Sequence, residues 1–212
     1  MSTTDHTTTG TDGPDLFPVS EADLSALGGR LARAAEREGV LDVAYRTVDS
    51  PLGEILVAAT VRGTVRVAFA REGFDAVLDA LAQRISPRIL RAPARLDPLA
   101  RELEEYFAGR RRRFEAPVDL ALSSGFRLAV QRYLPRIAYG GTATYRDVAE
   151  QVGSPRAVRA VGTACATNPL PILLPCHRVL RSDGGLGGYL GGLDAKAALL
   201  ELEGAGADPA TS

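Results

Sequence analysis

The feature that most constrains the fold of this chain is a change in hydrophobic period near residue 70. Between Leu41 and Phe69, apolar residues occur in short runs broken at 50–53 and 62–63, a pattern that predicts three antiparallel strands. After this region apolar residues recur at helical spacing, and helices are predicted over 74–84 and 98–108. The chain is therefore expected to have an α+β (α/β) fold, with a small strand-rich first half and a helical second half.

Capping residues place the helix boundaries in the first half. Ser20 and Asp23 form a capping-box pattern that opens a first helix, which Gly39 ends. In the helix predicted over 98–108, Asp97 is the expected N-cap and Pro98 the first helical residue.

Two short helices in the second half are joined through a glycine. Thr144 is expected to cap a helix over 145–152, and Ser154-Pro155 is expected to start another that ends near residue 166. Such a pair is a helix-turn-helix candidate. A glycine-rich loop (184–192) and a last helix (194–203) complete the pattern.

These elements divide the chain into three parts. Residues 1–38 are expected to form a polar, disordered tail and an N-terminal helix. Residues 39–122 are expected to form an N-terminal α/β domain, and residues 123–206 a C-terminal domain.

Composition narrows the classes of function. The formal net charge is −1, so any DNA-binding surface must be local. Two cysteines and two histidines are too few for a disulfide framework or a Cys/His zinc cluster, and no metal is expected. The chain has no 18-residue apolar run and no signal peptide at its start, which favours a cytoplasmic protein that does not bind a membrane.

The segment that indicates chemistry is 168–179, where three prolines and a short apolar run lead into Cys176-His177. A cysteine held on rigid backbone beside a histidine is typical of a nucleophile, because the thiolate is the reactive form and a nearby base raises its population. The alternative is that a lone cysteine is a small buried hydrophobe. Cys165, which continues an apolar stripe from Val158 and Val161, is interpreted in that way.

Other cysteine chemistries fit the spacing poorly. A tyrosine-phosphatase-type loop needs Cys-x5-Arg, whereas Arg181 gives Cys-x4-Arg. A papain-like hydrolase needs a histidine distant from the cysteine, and only His6 in the polar tail is available. Neither a phosphate-binding loop nor a dinucleotide fingerprint is present, so no cofactor is expected.

The sequence Pro-Cys-His-Arg-Val at 175–179 follows Asn168-Pro169, with Arg159 upstream and Gly188-Tyr189 downstream. This arrangement resembles the O6-alkylguanine-DNA alkyltransferases, or methylated-DNA–protein-cysteine methyltransferases. The similarity is densest over 126–204, and the preceding segment matches in general plan. The resemblance implies a ribonuclease-H-like N-terminal domain and a winged-helix-like C-terminal domain that binds DNA.

The resemblance also implies which residues carry out the reaction and take up the thiol proton. Cys176 would accept the alkyl group from O6 of guanine in one irreversible displacement, and O4-alkylthymine would react less well. His177 would take the thiol proton through a water, and Glu203 would orient His177. Without the resemblance, Glu203 would be interpreted as a solvent-facing carboxylate at a helix end.

Three further side chains complete the implied catalytic set. Tyr145 would donate a hydrogen bond to guanine N3 as the base leaves, and Lys196 would support the same leaving group. Lys196 is the only lysine in the chain, although a solvated helix lysine is the alternative. Asn168 would brace the cysteine loop, although Asn-Pro is also an ordinary turn dipeptide.

The implied partner is double-stranded DNA containing O6-alkylguanine, bound by a monomer. Arg159 would enter the base stack in place of an extruded nucleotide, since O6 is hidden in the duplex. The small residues of its helix would allow close approach in the minor groove, and Tyr189 would add to the same interface. These small residues are Ala157, Ala160 and Gly162. The alternative is an alanine-rich helix with no such role.

Two rival functions remain open at this point. A lesion sensor of the same fold would bind alkylguanine without transfer, and the presence of Cys176 argues against it. A helix-turn-helix regulator with a redox cysteine would need base contacts in the major groove, for which the Ala- and Gly-rich second helix offers few side chains.

Overall fold

A computed structural model describes residues 20–205, so the expected polar tail, with His6, lies outside the described residues. The first helix, α1 (Glu21–Arg37), begins at the predicted capping box. The Ser20 hydroxyl accepts from the backbone N–H of Asp23, and the Asp23 carboxylate accepts from the backbone N–H of Ser20. Its C-terminal half packs on the sheet domain through Ala32 and Ala35, which are buried.

The three predicted antiparallel strands are present, and a fourth strand joins them. The strands are β1 (Val43–Val48), β2 (Ile55–Thr60), β3 (Gly63–Phe69) and β4 (Ile89–Arg91). Their order in the sheet is β3-β2-β1-β4, with β4 parallel to β1. Sequence analysis missed β4 because three residues are too few to show an alternating pattern.

Six more helices and a two-stranded pairing complete the order of elements. The helices are α2 (Phe74–Arg84), α3 (Pro93–Phe107), α4 (Gly125–Tyr133), α5 (Tyr145–Gln151), α6 (Val158–Ala166) and α7 (Leu193–Leu202). Between α4 and α7, β5 (Ala143–Thr144) pairs in parallel with β6 (Val179–Leu180). The α+β prediction is confirmed: an N-terminal sheet domain is followed by a helical C-terminal domain.

Two predicted helix starts are wrong. Helix α3 begins at Pro93, so Pro98 lies inside the helix and Asp97 is not its N-cap. The Asp97 carboxylate instead pairs with Arg46, 2.5 Å away. A proline fits the first turn of a helix, and Pro93 takes the position that the sequence analysis gave to Pro98.

Helix α6 also begins later than predicted, at Val158 rather than at Pro155. The residues before it form a turn in which the Ala157 N–H donates to the Ser154 carbonyl. Helix α5 begins where predicted, because Thr144 and Asp147 form a capping box.

Hydrogen bonds from two sides hold the segment that carries Cys176. On one side, the Val67 N–H of β3 donates to the Pro169 carbonyl at 2.8 Å. On the other side, β5 pairs with β6, which directly follows Cys176-His177-Arg178. This second pairing also brings the first residue of α5, Tyr145, towards the cysteine.

Within residues 20–205, no helix is both long and apolar enough to cross a membrane.

One fully buried polar side chain, Gln131 on α4, has no hydrogen-bond partner for either amide atom among the described residues. An unpaired buried amide loses its hydration without compensation, so we expect Gln131→Leu to raise the free energy of unfolding by about 1 kcal/mol. Urea unfolding of both proteins measures the change. Gln151→Leu, on the exposed surface of α5, is the matched control and should have little effect. A destabilised Gln131→Leu protein would contradict the prediction.

Candidate functional site

The cysteine lies on a buried loop that an asparagine side chain closes. Residues 168–179 are all buried, and Cys176–Arg178 forms a single 3₁₀ turn. The Asn168 Nδ2 group donates to the Leu174 carbonyl at 2.8 Å and to Cys176 Sγ at 3.2 Å. The Asn168 Oδ1 atom accepts from the Leu170 N–H at 3.1 Å. Asn168 therefore fixes both the shape of the loop and the position of the sulfur.

The Cys176 thiol is protonated at rest. Its side chain is 2% exposed, and burial raises its pKa to about 11, although the Asn168 hydrogen bond and the charge of Lys196 act in the opposite direction. A protonated thiol needs a base before it can attack an electrophile. Cys165 is also buried and its pKa is raised by burial, in agreement with its interpretation as a core residue.

The adjacent histidine is in the correct state to act as that base. His177 Nε2 lies 3.0 Å from Glu203 Oε1. Because the ionised carboxylate can only accept, Nε2 carries the proton and Nδ1 is left as an acceptor. The buried Nδ1 atom has no hydrogen-bond partner among residues 20–205. Burial lowers the pKa of His177, so the imidazole is neutral near pH 7.

The Glu203 carboxylate is held by more donors than the sequence analysis expected. Arg178 donates to it twice, from Nε to Oε2 at 2.7 Å and from Nη2 to Oε1 at 2.9 Å, and the Tyr106 hydroxyl donates to Oε1 at 2.7 Å. Burial would raise the pKa of Glu203, but the hydrogen bonds from His177, Arg178 and Tyr106 outweigh burial and lower it to about 2. Glu203 is thus a buried carboxylate and not a solvent-facing one.

Two of these donors were missed, and each had a signal in the sequence. Arg178 is the one charged residue in the buried run 168–179, and a buried charge needs a partner. Tyr106 continues the apolar face of α3 that Leu99 and Leu103 occupy, and a buried tyrosine hydroxyl usually has a partner.

Lys196 lies in the site, but its ammonium group donates hydrogen bonds to backbone carbonyls. Its Nζ atom donates to the Val179 carbonyl at 2.6 Å and to the Leu186 carbonyl. The side chain is fully buried, and burial lowers its pKa. Lys196 therefore joins the segment after the cysteine to the glycine-rich loop, a position that sequence analysis did not predict.

Tyr145 lies beside this lysine, with its ring centre 5.9 Å from Lys196 Nζ. Burial raises the pKa of Tyr145 to about 12, so its hydroxyl stays a donor. Gly187 packs directly on that hydroxyl with φ +65°, and a Cβ atom at this position would overlap the oxygen. The glycine-rich loop can thus approach Tyr145 closely only because residue 187 is glycine.

Tyr189 lies inside the site. Its ring packs edge-to-face against His177, with centroids 6.4 Å apart, and against Phe69 at 5.6 Å. Its hydroxyl is buried and has no hydrogen-bond partner among the described residues. In front of this tyrosine and the glycine-rich loop is an open cavity of about 680 Å³, with Arg71 and Arg181 in its wall.

The outer face of α6 carries the residues predicted to contact DNA. Arg159 and Ala160 are exposed, and Ala157 and Gly162 are half-buried. A Cβ atom at Gly162 would meet open space. The C-terminal half of the chain, residues 123–205, has nine Arg and Lys against six Asp and Glu, whereas the whole chain is nearly neutral. The arrangement is a small-residue surface with one arginine on the more basic domain, suited to a phosphate backbone.

Among residues 20–205, no three His, Cys, Asp or Glu side chains form a group that could hold a metal ion. The site instead contains a thiol, a neutral histidine and a carboxylate that orients it, which are the parts of a nucleophile–base–orienter system. Together with the exposed face of α6, these features are those expected of a DNA-binding protein that carries a nucleophilic cysteine.

Comparison with known proteins identifies the family. The family model described as "6-O-methylguanine DNA methyltransferase, ribonuclease-like domain" matches residues 43–120, and the model for the DNA binding domain of the same family matches residues 125–205. The chain belongs to the 6-O-methylguanine DNA methyltransferase family.

Relatives across bacteria and archaea agree with this assignment. The inducible methylated-DNA–protein-cysteine methyltransferase of Bacillus subtilis is 38% identical over 148 residues, covering 69% of this chain and 82% of that protein. The corresponding protein of Methanosarcina barkeri is 38% identical over 164 residues, covering 75% and 96%. The crystal structure of Mycobacterium tuberculosis OGT in complex with DNA has a TM-score of 0.67 and 35% identity, covering 76% and 92%. The chain is thus a DNA alkyl-repair enzyme of the methylated-DNA–protein-cysteine methyltransferase class.

Proposed function

We propose that this protein repairs O6-alkylguanine in double-stranded DNA by moving the alkyl group to Cys176, and that O4-alkylthymine reacts less well. The sulfur forms a bond to the alkyl carbon, the bond from that carbon to O6 breaks, and guanine leaves with the electron pair. The observation that carries the proposal is the buried Cys176 thiol beside a neutral His177 oriented by Glu203.

The thiol proton has a path within the site. His177 Nδ1 is the acceptor, and a water between Sγ and Nδ1 would transfer the proton. The imidazolium that forms is stabilised by Glu203 through the 3.0 Å contact to Nε2. The general-base step is required because the thiol has a pKa of about 11.

Three residues support the same step from around the sulfur. Tyr145 stays a hydroxyl donor for the leaving guanine, on which negative charge develops. Lys196 acts through its charge, which favours the thiolate, while its hydrogen bonds join β6 to the glycine-rich loop. Asn168 donates to the sulfur and so also stabilises the thiolate.

The transfer has a fixed stoichiometry, because the thioether at Cys176 has no route back to a thiol. The test is to titrate a duplex that contains one O6-methylguanine with increasing protein, and to quantify the lesion by chromatography after hydrolysis of the DNA. Loss of one lesion per protein molecule, with no further loss on longer incubation, is the expected result. Repeated turnover would contradict the irreversible step, and no loss of lesion would contradict the transfer.

Extrusion of the target base from the duplex is assigned to Arg159 and the small residues of α6. Unpairing and unstacking the target base costs a few kcal/mol, and Arg159 is proposed to offset part of this cost by filling the space that the base leaves. We therefore expect Arg159→Ala to slow transfer from duplex DNA by about 10- to 100-fold. Transfer from the free base O6-methylguanine should change little, since no stack has to be opened. Arg156→Ala, which removes a neighbouring exposed arginine, is the matched control. Equal slowing on both substrates would contradict the assignment.

Residues 39–122 and 123–206 act as two domains of one chain, which works as a monomer in the cytoplasm on double-stranded DNA that contains O6-alkylguanine. The relatives of Bacillus subtilis and Methanosarcina barkeri are named methylated-DNA–protein-cysteine methyltransferases, which favours alkyl transfer over the sensor and regulator alternatives.

A further inference from the structure

The Glu203 carboxylate receives donors from both halves of the molecule. The C-terminal half supplies His177 Nε2, Arg178 and the Gly140 N–H, which lies 3.4 Å from Oε2. The N-terminal half supplies a single donor, the hydroxyl of Tyr106 on α3, at 2.7 Å from Oε1. This oxygen is also the one that faces His177.

Among the described residues, Glu203 is the hydrogen-bond partner of the buried Tyr106 hydroxyl, and no other is found. The side chain is 1% exposed, and its ring contacts Phe107, Phe114 and Tyr139 with centroids 5.4, 5.2 and 6.3 Å away. Burial and the nearby carboxylate raise the pKa of Tyr106, so it stays protonated. The hydrogen bond to Glu203 is therefore present at every pH at which the carboxylate is ionised.

A donor on Oε1 changes the basicity of His177, because Glu203 is the group that favours the imidazolium among the described neighbours of this histidine. The groups that face His177 are Glu203, the cations of Arg178 and Lys196, the Cys176 thiol and the neutral ring of Tyr189. Both cations disfavour a positive charge on the His177 ring, and burial of the ring does the same. When the Tyr106 hydroxyl shares Oε1, it reduces the negative charge that this oxygen presents to His177.

We propose that Tyr106 is a positioning residue for the proton relay: its hydroxyl fixes Oε1 of Glu203 opposite His177 and keeps the histidine neutral and ready to accept the thiol proton. The strand-rich half of the chain thus contributes to the chemistry of Cys176, in addition to its packing. This inference rests on the proposed alkyl transfer, but its direct readout is the titration of one histidine.

The variant Tyr106→Phe keeps the ring and removes only the hydroxyl. Without this donor, Oε1 interacts more strongly with His177, and we expect the midpoint of the His177 titration to rise by about half a pH unit. On the acid limb of the transfer reaction this shift lowers the second-order rate constant by about threefold, whereas the high-pH rate changes less. A purely structural role would lower the rate equally at all pH values.

The experiment uses the full chain with His6→Gln, so that His177 is the only histidine and its ring nitrogens can be followed by NMR through a pH titration. Tyr139→Phe is the matched control, because it removes a hydroxyl in the same aromatic cluster that donates to the Leu202 carbonyl and not to the carboxylate. The proposal is supported if the titration midpoint of His177 rises in Tyr106→Phe and does not rise in Tyr139→Phe. An unchanged midpoint, or the same change in both variants, overturns it. Failure of alkyl transfer in the parent protein would instead overturn the proposed function, and the NMR titration distinguishes the two results.

Discussion

Replacing Cys176 with alanine is expected to abolish alkyl transfer while the protein still folds and binds alkylated DNA. The substitution removes the sulfur atom that is proposed to accept the alkyl group, so the rate should fall by more than about 1,000-fold. The loop should keep its shape, because Asn168 still donates to the Leu174 carbonyl and accepts from the Leu170 N–H. Loss of alkyl transfer is measured with labelled O6-methylguanine DNA, and binding by a shift in electrophoretic mobility.

Cys165→Ala is the control for this experiment. Cys165 is equally buried, but it packs on the inner face of α6, without the histidine and carboxylate that Cys176 has. It should transfer at the rate of the unsubstituted protein. Transfer that survives in Cys176→Ala and disappears in Cys165→Ala would contradict the assignment of the acceptor.

Removing the Glu203 side chain is expected to have the largest effect on stability. Glu203→Ala leaves the Arg178 guanidinium buried without its carboxylate, and it also removes the partner of the Tyr106 hydroxyl. Breaking one side of a buried ion pair costs about 3–5 kcal/mol of folding free energy. Transfer should also slow, because His177 loses the group that fixes its tautomer. Urea unfolding measures the first effect and single-turnover kinetics the second.

Glu201→Ala is the matched substitution, since Glu201 is an exposed carboxylate in the last turn of α7, the helix that Glu203 caps. It should change the free energy of unfolding by less than about 0.5 kcal/mol. If Glu203→Ala were as stable as Glu201→Ala, the buried network around Glu203 would not stabilise the fold in the way that its contacts indicate.

The same carboxylate predicts how stability depends on pH. The folded-state pKa of Glu203 is about 2, below the ordinary value of 4.5, so the unfolded state binds more protons between these pH values. The contribution of Glu203 is complete above pH 4.5 and is lost as the pH falls towards 2, and it amounts to about 3 kcal/mol at 1.36 kcal/mol per pKa unit. A Glu203→Gln protein should lack this part of the pH dependence. Parallel pH profiles for the two proteins would contradict the ionised state of Glu203.

Local signals in the sequence predicted several elements correctly, and other elements depended on contacts that the sequence does not show. The capping boxes at Ser20 and Thr144 are formed by residues three positions apart, so each could be recognised without the rest of the fold. Strand β4 is only three residues long and pairs with β1, more than forty residues earlier. The start of α3 was misplaced because two prolines, Pro93 and Pro98, both fit a helix start.

The same distinction applies to the site. Cys176 and His177 are adjacent, and their motif alone indicated a nucleophile with a base. Glu203 was connected to them only through the resemblance to the alkyltransferases, because the two parts meet only in the folded chain. Tyr106 lies 97 residues from Glu203, so no spacing rule could have joined them.

The measurement that tests the account most directly is the mass of the intact protein after reaction with duplex DNA that carries one O6-methylguanine, followed by mapping of its peptides. We expect a gain of one methyl group, in place of a hydrogen, on the peptide that contains Cys176, with no gain on the peptide that contains Cys165. An unchanged mass despite lesion binding, or a methyl group on any other residue, would contradict the account.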